Sequence, residues 1–165
     1  MADKAEQARQ LFLSGANCAQ AVLGAFHREC GLDFDAAMRL ASGFGGGMGR
    51  LREVCGAVSG MFLVANLRRG YSDLSDKEAK DAHYAFIQKL AAEFRAETGS
   101  IVCRELLGIT TGAPLSPTPE ARTENYYKKR PCPEIVREAA AIYCDHLCGV
   151  SFRGDDGDEN ADGSG

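Results

Sequence analysis

Residues 55–69, CGAVSGMFLVANLRR, lie in the longest apolar stretch of the chain and decide its fold class. Their apolar residues recur at spacings of three and four rather than in alternation, which predicts a buried helix. The stretch also contains Gly56, Ser59, Gly60 and Asn66, and it is too short to cross a bilayer. We therefore expect a helix in the interior of a globular protein.

The same helical spacing continues on both sides of this stretch, and nowhere do apolar and polar residues alternate for long enough to make a strand. The sequence thus predicts an all-α protein, a compact bundle of six to seven helices. The predicted helices cover approximately residues 5–13, 17–30, 35–42, 55–69, 75–99, 100–107 and 131–147. Asn17, Ser75 and Ser100 are the expected N-cap residues, and Gly99 is expected to end the longest helix.

Three segments have the composition of connections rather than of helices. Residues 43–49, GFGGGMG, contain five glycines, which permit positive φ angles or a close backbone approach. Residues 111–119, TGAPLSPTP, read as a loop. The acidic C-terminal segment GDDGDENADGSG, residues 154–165, lacks large apolar residues that could pack into a core. We expect one helical domain at residues 1–150 and a disordered acidic tail at residues 151–165.

The overall composition narrows the class of protein. The chain has 165 residues, a net charge of −4 and 45% apolar residues, which is typical of a globular domain large enough to bury its own core. No basic stripe interleaves with aromatic residues, so nucleic acid is not an expected partner, and neither is a membrane. The N-terminal residues, MADKAEQARQLF, lack the pattern of an export signal, which favours the cytoplasm.

Seven cysteines in such a chain point to metal binding or redox chemistry, because the cytoplasm keeps structural disulfides reduced. Four of them fall in the predicted first turn of a helix. These four, which we call the site cysteines, are Cys18, Cys55, Cys103 and Cys132. The unpaired N–H groups and the positive end of the helix dipole at such positions stabilise a thiolate. The site cysteines are therefore the candidate catalytic or metal-ligating residues.

The remaining cysteines, Cys30, Cys144 and Cys148, fall late in their helices, where the dipole opposes a thiolate. We expect them to be ordinary packing residues.

Basic residues accompany the site cysteines in the sequence. Arg50 and Arg52 precede Cys55, Arg104 follows Cys103, and Arg130 lies two residues before Cys132. The chain has no CxxC motif, which excludes the thioredoxin arrangement and zinc ribbons with closely spaced ligand pairs. A site made of these four cysteines must be assembled by the fold.

The segments around the site cysteines resemble the C-GCAxxG-C-C family, which is named for its cysteines and associated with redox activity. The matching segments are GANCAQAVLGAF at residues 15–26, ASGFGGGMGR at 41–50, VCGAVSG at 54–60, CRELLG at 103–108, and Cys132. The resemblance covers approximately residues 8–147 and implies redox activity at the site cysteines. A related arrangement forms the iron–sulfur part of split-Soret cytochromes, which implies that such a set can hold a cluster. The chain has no CxxCH motif, so haem is not implied.

Glycines near the cysteines are candidate cofactor-binding residues. Gly45, Gly46 and Gly47, with Gly56 of the CGAxxG element, would bring the backbone close to the sulfurs, and N–H donors tune a cluster's potential. A phosphate-binding loop is the rival interpretation. The segment lacks the lysine–serine ending of a P-loop and does not follow a predicted strand, so no nucleotide is expected.

Three functions remain open at this point. The first is electron transfer through an iron–sulfur cluster held by the site cysteines, either from one chain or with two cysteines from each subunit of a homodimer. The second is thiol–disulfide exchange without a metal, with Cys55 as the expected low-pKa nucleophile. The third is a structural zinc site. The sequence does not identify the redox partner protein.

Overall fold

The computed structural model describes residues 3–110 and 112–147. Within these ranges the chain forms eight helices and no strand, which confirms the all-α prediction. The helices are α1 (Lys4–Leu13), α2 (Cys18–Ala25), α3 (Phe34–Ala41), α4 (Gly56–Arg69), α5 (Lys77–Thr98), α6 (Cys103–Leu106), α7 (Glu124–Lys129) and α8 (Cys132–Leu147). The predicted disordered tail, the domain limit at residue 150 and Cys148 lie outside the described residues.

The core forms where α2 packs against α4 and α1 packs along α8. Fully buried side chains from five helices meet there, and each stabilises the fold by about 1.5 to 3 kcal/mol relative to an exposed position. The largest are Phe12, Leu23, Phe26, Met61, Leu90, Phe94 and Tyr143. None of the helices in the described ranges has the length and apolar character that crossing a membrane requires.

A glycine in α4 sets the distance between α4 and α2. A Cβ atom on Gly60 would lie 2.8 Å from the carbonyl oxygen of Ala19 and 2.9 Å from Cβ of Val22. Any larger residue at position 60 would push the two helices apart. The close packing brings the first residue of α2, Cys18, beside the start of α4.

The helix starts agree with the sequence expectation at Asn17 and differ from it at two other places. Asn17 caps α2 in a reciprocal capping box with Gln20. The cap of α5 is Asp76, whose carboxylate accepts from the Ala79 N–H, so the expectation of Ser75 was wrong by one residue. Val102 holds the N-cap position of α6 in place of the expected Ser100.

One helix boundary and one whole helix also differ from the prediction. Helix α2 ends at Ala25, and the chain continues in turns to Gly31, whose φ of 68° favours glycine. Helix α7 was not predicted. It has only six residues, which is too short for a hydrophobic period to show, although Thr123 caps it by accepting from the Tyr126 N–H.

Candidate functional site

The site cysteines all line one cavity of about 60 Å³ within a single chain. Each comes from the start of a different helix. Cys18, Cys103 and Cys132 are the first residues of α2, α6 and α8, and Cys55 is the N-cap residue of α4. The predicted first-turn position is confirmed for Cys18, Cys103 and Cys132, whereas Cys55 lies one residue before the first turn of α4. A second subunit is not needed to bring them together.

A short antiparallel pairing of two segments places Cys55 beside Cys103. The Cys55 N–H donates to the carbonyl oxygen of Ile101 at 2.8 Å, and the Cys103 N–H donates to that of Glu53 at 2.7 Å. Between these bonds, Val54 and Val102 form an isolated β-bridge. The pairing aligns the start of α4 with the start of α6.

Two glycines let the backbone approach the cysteines. A Cβ atom on Gly47 would lie 2.6 Å from Cβ of Cys103, and one on Gly56 would lie 3.0 Å from Cβ of Cys18. Gly46 also lines the cavity. Gly45 does not line it and instead packs against Asn17, where a Cβ atom would lie 2.6 Å from the asparagine side chain.

The glycine-rich segment turns with a left-handed backbone. Residues 46–50 all have φ angles between 60° and 70°, and Arg52 has a φ of 61°. This conformation costs Met48, Arg50 and Arg52 about 1 to 2 kcal/mol of free energy each, because they carry a Cβ atom. The Arg52 and Glu53 N–H groups hold the turn by donating to the carbonyl oxygens of Gly46 and Gly47. The turn places Gly47 against Cys103.

Three arginines and a tyrosine complete the wall of the cavity: Arg52, Arg122, Arg130 and Tyr126. Arg52 is only 8% exposed, and its Nη1 donates to Sγ of Cys103 at 3.7 Å. The guanidinium groups of Arg122 and Arg130 lie 5.0 and 4.8 Å from the centre of the Tyr126 ring. Positive charge is therefore fixed beside the sulfurs.

The sequence pattern indicated part of this basic wall. It connected Arg52 with Cys55, but the guanidinium contacts Cys103 instead. Arg104 pairs with Glu53 at 2.6 Å and does not line the cavity. Arg122 and Tyr126 were missed, because they lie far from every cysteine in the sequence except Cys132 and no local pattern marks them.

The thiols of Cys18 and Cys132 interact within the cavity that both residues line. This interaction, with the charges of Arg130 and the other two arginines, lowers the pKa of Cys132 to about 7, although burial opposes the shift. The same interaction, reinforced by burial, raises the pKa of Cys18 well above its ordinary value.

Cys55 was expected to have the lowered pKa, and this expectation was wrong. Burial raises the pKa of Cys55 to about 12, even though the N–H groups of Ala57 and Val58 donate to its sulfur. Burial also raises the pKa of Cys103, against the opposing effect of Arg52. At these two helix starts, burial raises the thiol pKa by more than the positive end of the helix dipole lowers it.

Cys30 and Cys144 do not line the cavity. Burial raises the pKa of Cys30 to about 11. Cys18, Cys30, Cys55, Cys103 and Cys132 are free thiols. In the same ranges no three His, Cys, Asp or Glu side chains are arranged to hold a single metal ion.

One protein family matches the chain over residues 16–146, and it is described as "Putative redox-active protein (C_GCAxxG_C_C)". The match includes all four site cysteines and the glycine-rich turn. No curated protein and no solved structure matches the chain significantly.

Proposed function

The chain belongs to the C_GCAxxG_C_C family, and we propose that its site cysteines ligate an iron–sulfur cluster for electron transfer. The observation that carries the proposal is that four thiols from four helix starts line one cavity. Thiol–disulfide exchange needs only two of them. A cluster would give all four a role, because both two-iron and four-iron clusters are commonly held by four cysteine thiolates.

The donor set fits such a cluster. Among the residues described as lining the cavity, the groups able to bind a soft metal are all cysteines, and neither histidine nor a carboxylate is present. Sulfur ligands of this kind favour iron–sulfur clusters over ions that prefer oxygen or nitrogen. Leu106, Leu107 and Ile135 give the cavity an apolar side that limits access of water.

The charges around the cavity support the same proposal. Four thiolates bring four negative charges into a mostly buried space, which requires nearby positive groups. Arg52, Arg122 and Arg130 supply them, and the Ala57 and Val58 N–H groups already point at the Cys55 sulfur. When bound, the cluster would supply one-electron chemistry. The protein's own groups would hold it, offset its charge and tune its potential.

The proposal is tested by anaerobic purification, followed by a visible absorption spectrum and assays for iron, sulfide and zinc. We expect broad visible absorption with iron and sulfide, which Cys55→Ser abolishes and Cys30→Ser preserves. Cys30 is the matched control because it is a partly buried cysteine outside the cavity. Zinc without colour, or a colourless metal-free protein with intact helices, would overturn the proposal.

The place of Cys18 and Cys132 in one cavity, with a lowered pKa at Cys132, favours a second candidate, thiol–disulfide exchange with the disulfide of a partner molecule. In this scheme the Cys132 thiolate attacks the partner disulfide, forming a mixed disulfide and releasing one partner thiolate. Cys18 then loses its proton and attacks the Cys132 sulfur, which forms a Cys18–Cys132 disulfide and releases the second partner thiolate. Two electrons pass from the protein to the partner disulfide.

Oxidised glutathione is a suitable probe for this second candidate. Metal-free protein should form the Cys18–Cys132 disulfide, and Cys18→Ser should stop at glutathione attached to Cys132. Peptide mapping by mass spectrometry distinguishes the two products. Glutathione spread evenly over all cysteines would contradict the scheme.

A further inference from the structure

A second, larger opening adjoins the cysteine cavity. It is a groove of about 420 Å³ between the glycine-rich turn and residues 117–120, and this volume is in the range of small-molecule sites. Arg52, Arg122, Arg130 and Tyr126 line both the groove and the cavity, so they form a shared wall. A molecule in the groove would therefore lie next to the site cysteines.

The groove is strongly basic in an acidic protein. Its described lining contains four arginines and one acidic residue, Glu120, which gives a charge of +3 as 4 minus 1. The whole chain carries −4. Positive charge is thus concentrated at this opening, which favours an anionic ligand.

Neutral groups hold two of these arginines in place. Nε of Arg50 donates to the carbonyl oxygen of Ser116 at 2.8 Å, and the Arg122 guanidinium donates to those of Phe12 and Ala16. Carbonyl oxygens fix the direction of a guanidinium without neutralising its charge. Within residues 3–110 and 112–147, ion pairing to a carboxylate occurs at Arg130, with Glu120, and not at the other three arginines of the groove.

Backbone strain is also concentrated at the edge of the groove. Arg50 and Arg52 have φ angles of 67° and 61°, which residues with a Cβ atom rarely adopt. Such strain persists where the surrounding structure enforces it, commonly at ligand-binding sites. Here it places both arginines in the lining of one groove.

We infer that this groove binds a small molecule through an oxyanion, a phosphate or carboxylate group, next to the site cysteines. The planar guanidinium matches both groups, because it donates two parallel hydrogen bonds to a pair of oxygens. The inference goes beyond the proposed function. It holds whether the cysteines carry a cluster or exchange disulfides, so the two proposals fail separately.

Arg50 distinguishes anion binding in the groove from a simpler role of the arginines, which is to offset the charge of the sulfurs. Arginines that only offset the charge of the sulfurs should line the cysteine cavity, as Arg52, Arg122 and Arg130 do. Arg50 lines the groove but not the cavity. An effect of Arg50 on anion binding therefore reports on the groove itself.

The test is calorimetric titration of the full chain with inorganic phosphate, pyrophosphate and succinate. We expect saturable binding of at least one probe, weakened about tenfold by Arg50→Gln through loss of a charge-assisted bond, with a smaller loss in Arg50→Lys. Arg95→Gln is the matched control, because it removes the same charge from α5, away from the groove. It should change binding less than about twofold.

Preference for the phosphates or for succinate identifies which oxyanion the groove accepts. Absence of saturable binding by all three probes would overturn the inference. Equal weakening by Arg50→Gln and Arg95→Gln would also overturn it, because the effect would then reflect net charge alone. Circular dichroism confirms that each variant retains its helices, and iron and sulfide assays on the same samples keep this result independent of the cluster test.

Discussion

Cys18 and Cys132, the first residues of α2 and α8, line one cavity, and the interaction between their thiols shifts their pKa values in opposite directions. It raises the pKa of Cys18 and lowers the pKa of Cys132. The charges of Arg130, Arg122 and Arg52 also lower the pKa of Cys132. In the reduced, metal-free chain, Cys132 is therefore the more acidic thiol of the pair.

This asymmetry predicts selective alkylation of the metal-free protein. The rate at Cys132 should rise with pH through about 7 and then level off, because only the thiolate reacts. Cys18→Ala removes the largest cause of the lowered pKa of Cys132, so this pKa should rise and the alkylation rate at neutral pH should fall. Iodoacetamide labelling followed by peptide mass spectrometry at a series of pH values measures both effects.

Cys30 serves as the internal reference in that experiment, since burial raises its pKa to about 11. It should be labelled more slowly than Cys132 in the same sample at neutral pH. Labelling of Cys55 before Cys132 would contradict the assignment.

Local sequence was enough to predict the helical class and the position of the site cysteines at helix starts, because capping and hydrophobic spacing are properties of neighbouring residues. It was not enough to predict the pKa of Cys55, which is set by burial among residues distant in the sequence. Arg122 shows the same limit. Its guanidinium lies 4.6 Å from the centre of the Phe12 ring, a contact between residues 110 positions apart that no local pattern reveals.

An ion pair far from the site predicts how stability responds to acid. Lys4 Nζ lies 2.6 Å from Oε1 of Glu29. Burial acts to raise the pKa of Glu29, but the hydrogen bond from Lys4 and a backbone bond outweigh it, and the pKa falls below its ordinary value of 4.5. The stabilisation is fully present above pH 4.5 and is lost as the pH falls through the lower folded value.

Glu29→Gln should therefore lower the free energy of unfolding near neutral pH by about 1 kcal/mol or less, and the difference from the unmodified chain should shrink in acid. Urea titrations at several pH values measure this difference. Glu124→Gln is the control, because the Glu124–Lys128 pair is 3.1 Å apart but largely exposed. A Glu29→Gln effect that grows as the pH falls would contradict the sign.

Loading of the proposed cluster should raise thermal stability. The site cysteines begin four different helices, so a group bound to all of them in the folded state alone shifts the equilibrium away from the unfolded chain. Anaerobic reconstitution with iron and sulfide should increase Tm, and removal by a chelator should reverse the increase. Differential scanning calorimetry measures Tm, and Cys103→Ser treated in the same way is the control. An equal increase of Tm in this variant would show that the metal binds elsewhere.

The contact of Gly47 with Cys103 predicts a sharp difference between two glycine substitutions in the same segment. Gly47→Ala would place a Cβ atom 2.6 Å from Cβ of Cys103 and 2.9 Å from Cα of Arg52, at a φ of 70°. Overpacking and the left-handed backbone together should cost about 2 to 4 kcal/mol. A Cβ atom added to Gly43 would have no neighbouring atom within 4 Å. Gly43→Ala should therefore change the free energy of unfolding by less than about 0.5 kcal/mol. Urea unfolding of the two variants compares them directly, and equal losses would mean that the glycine-rich turn does not rest against Cys103 in solution.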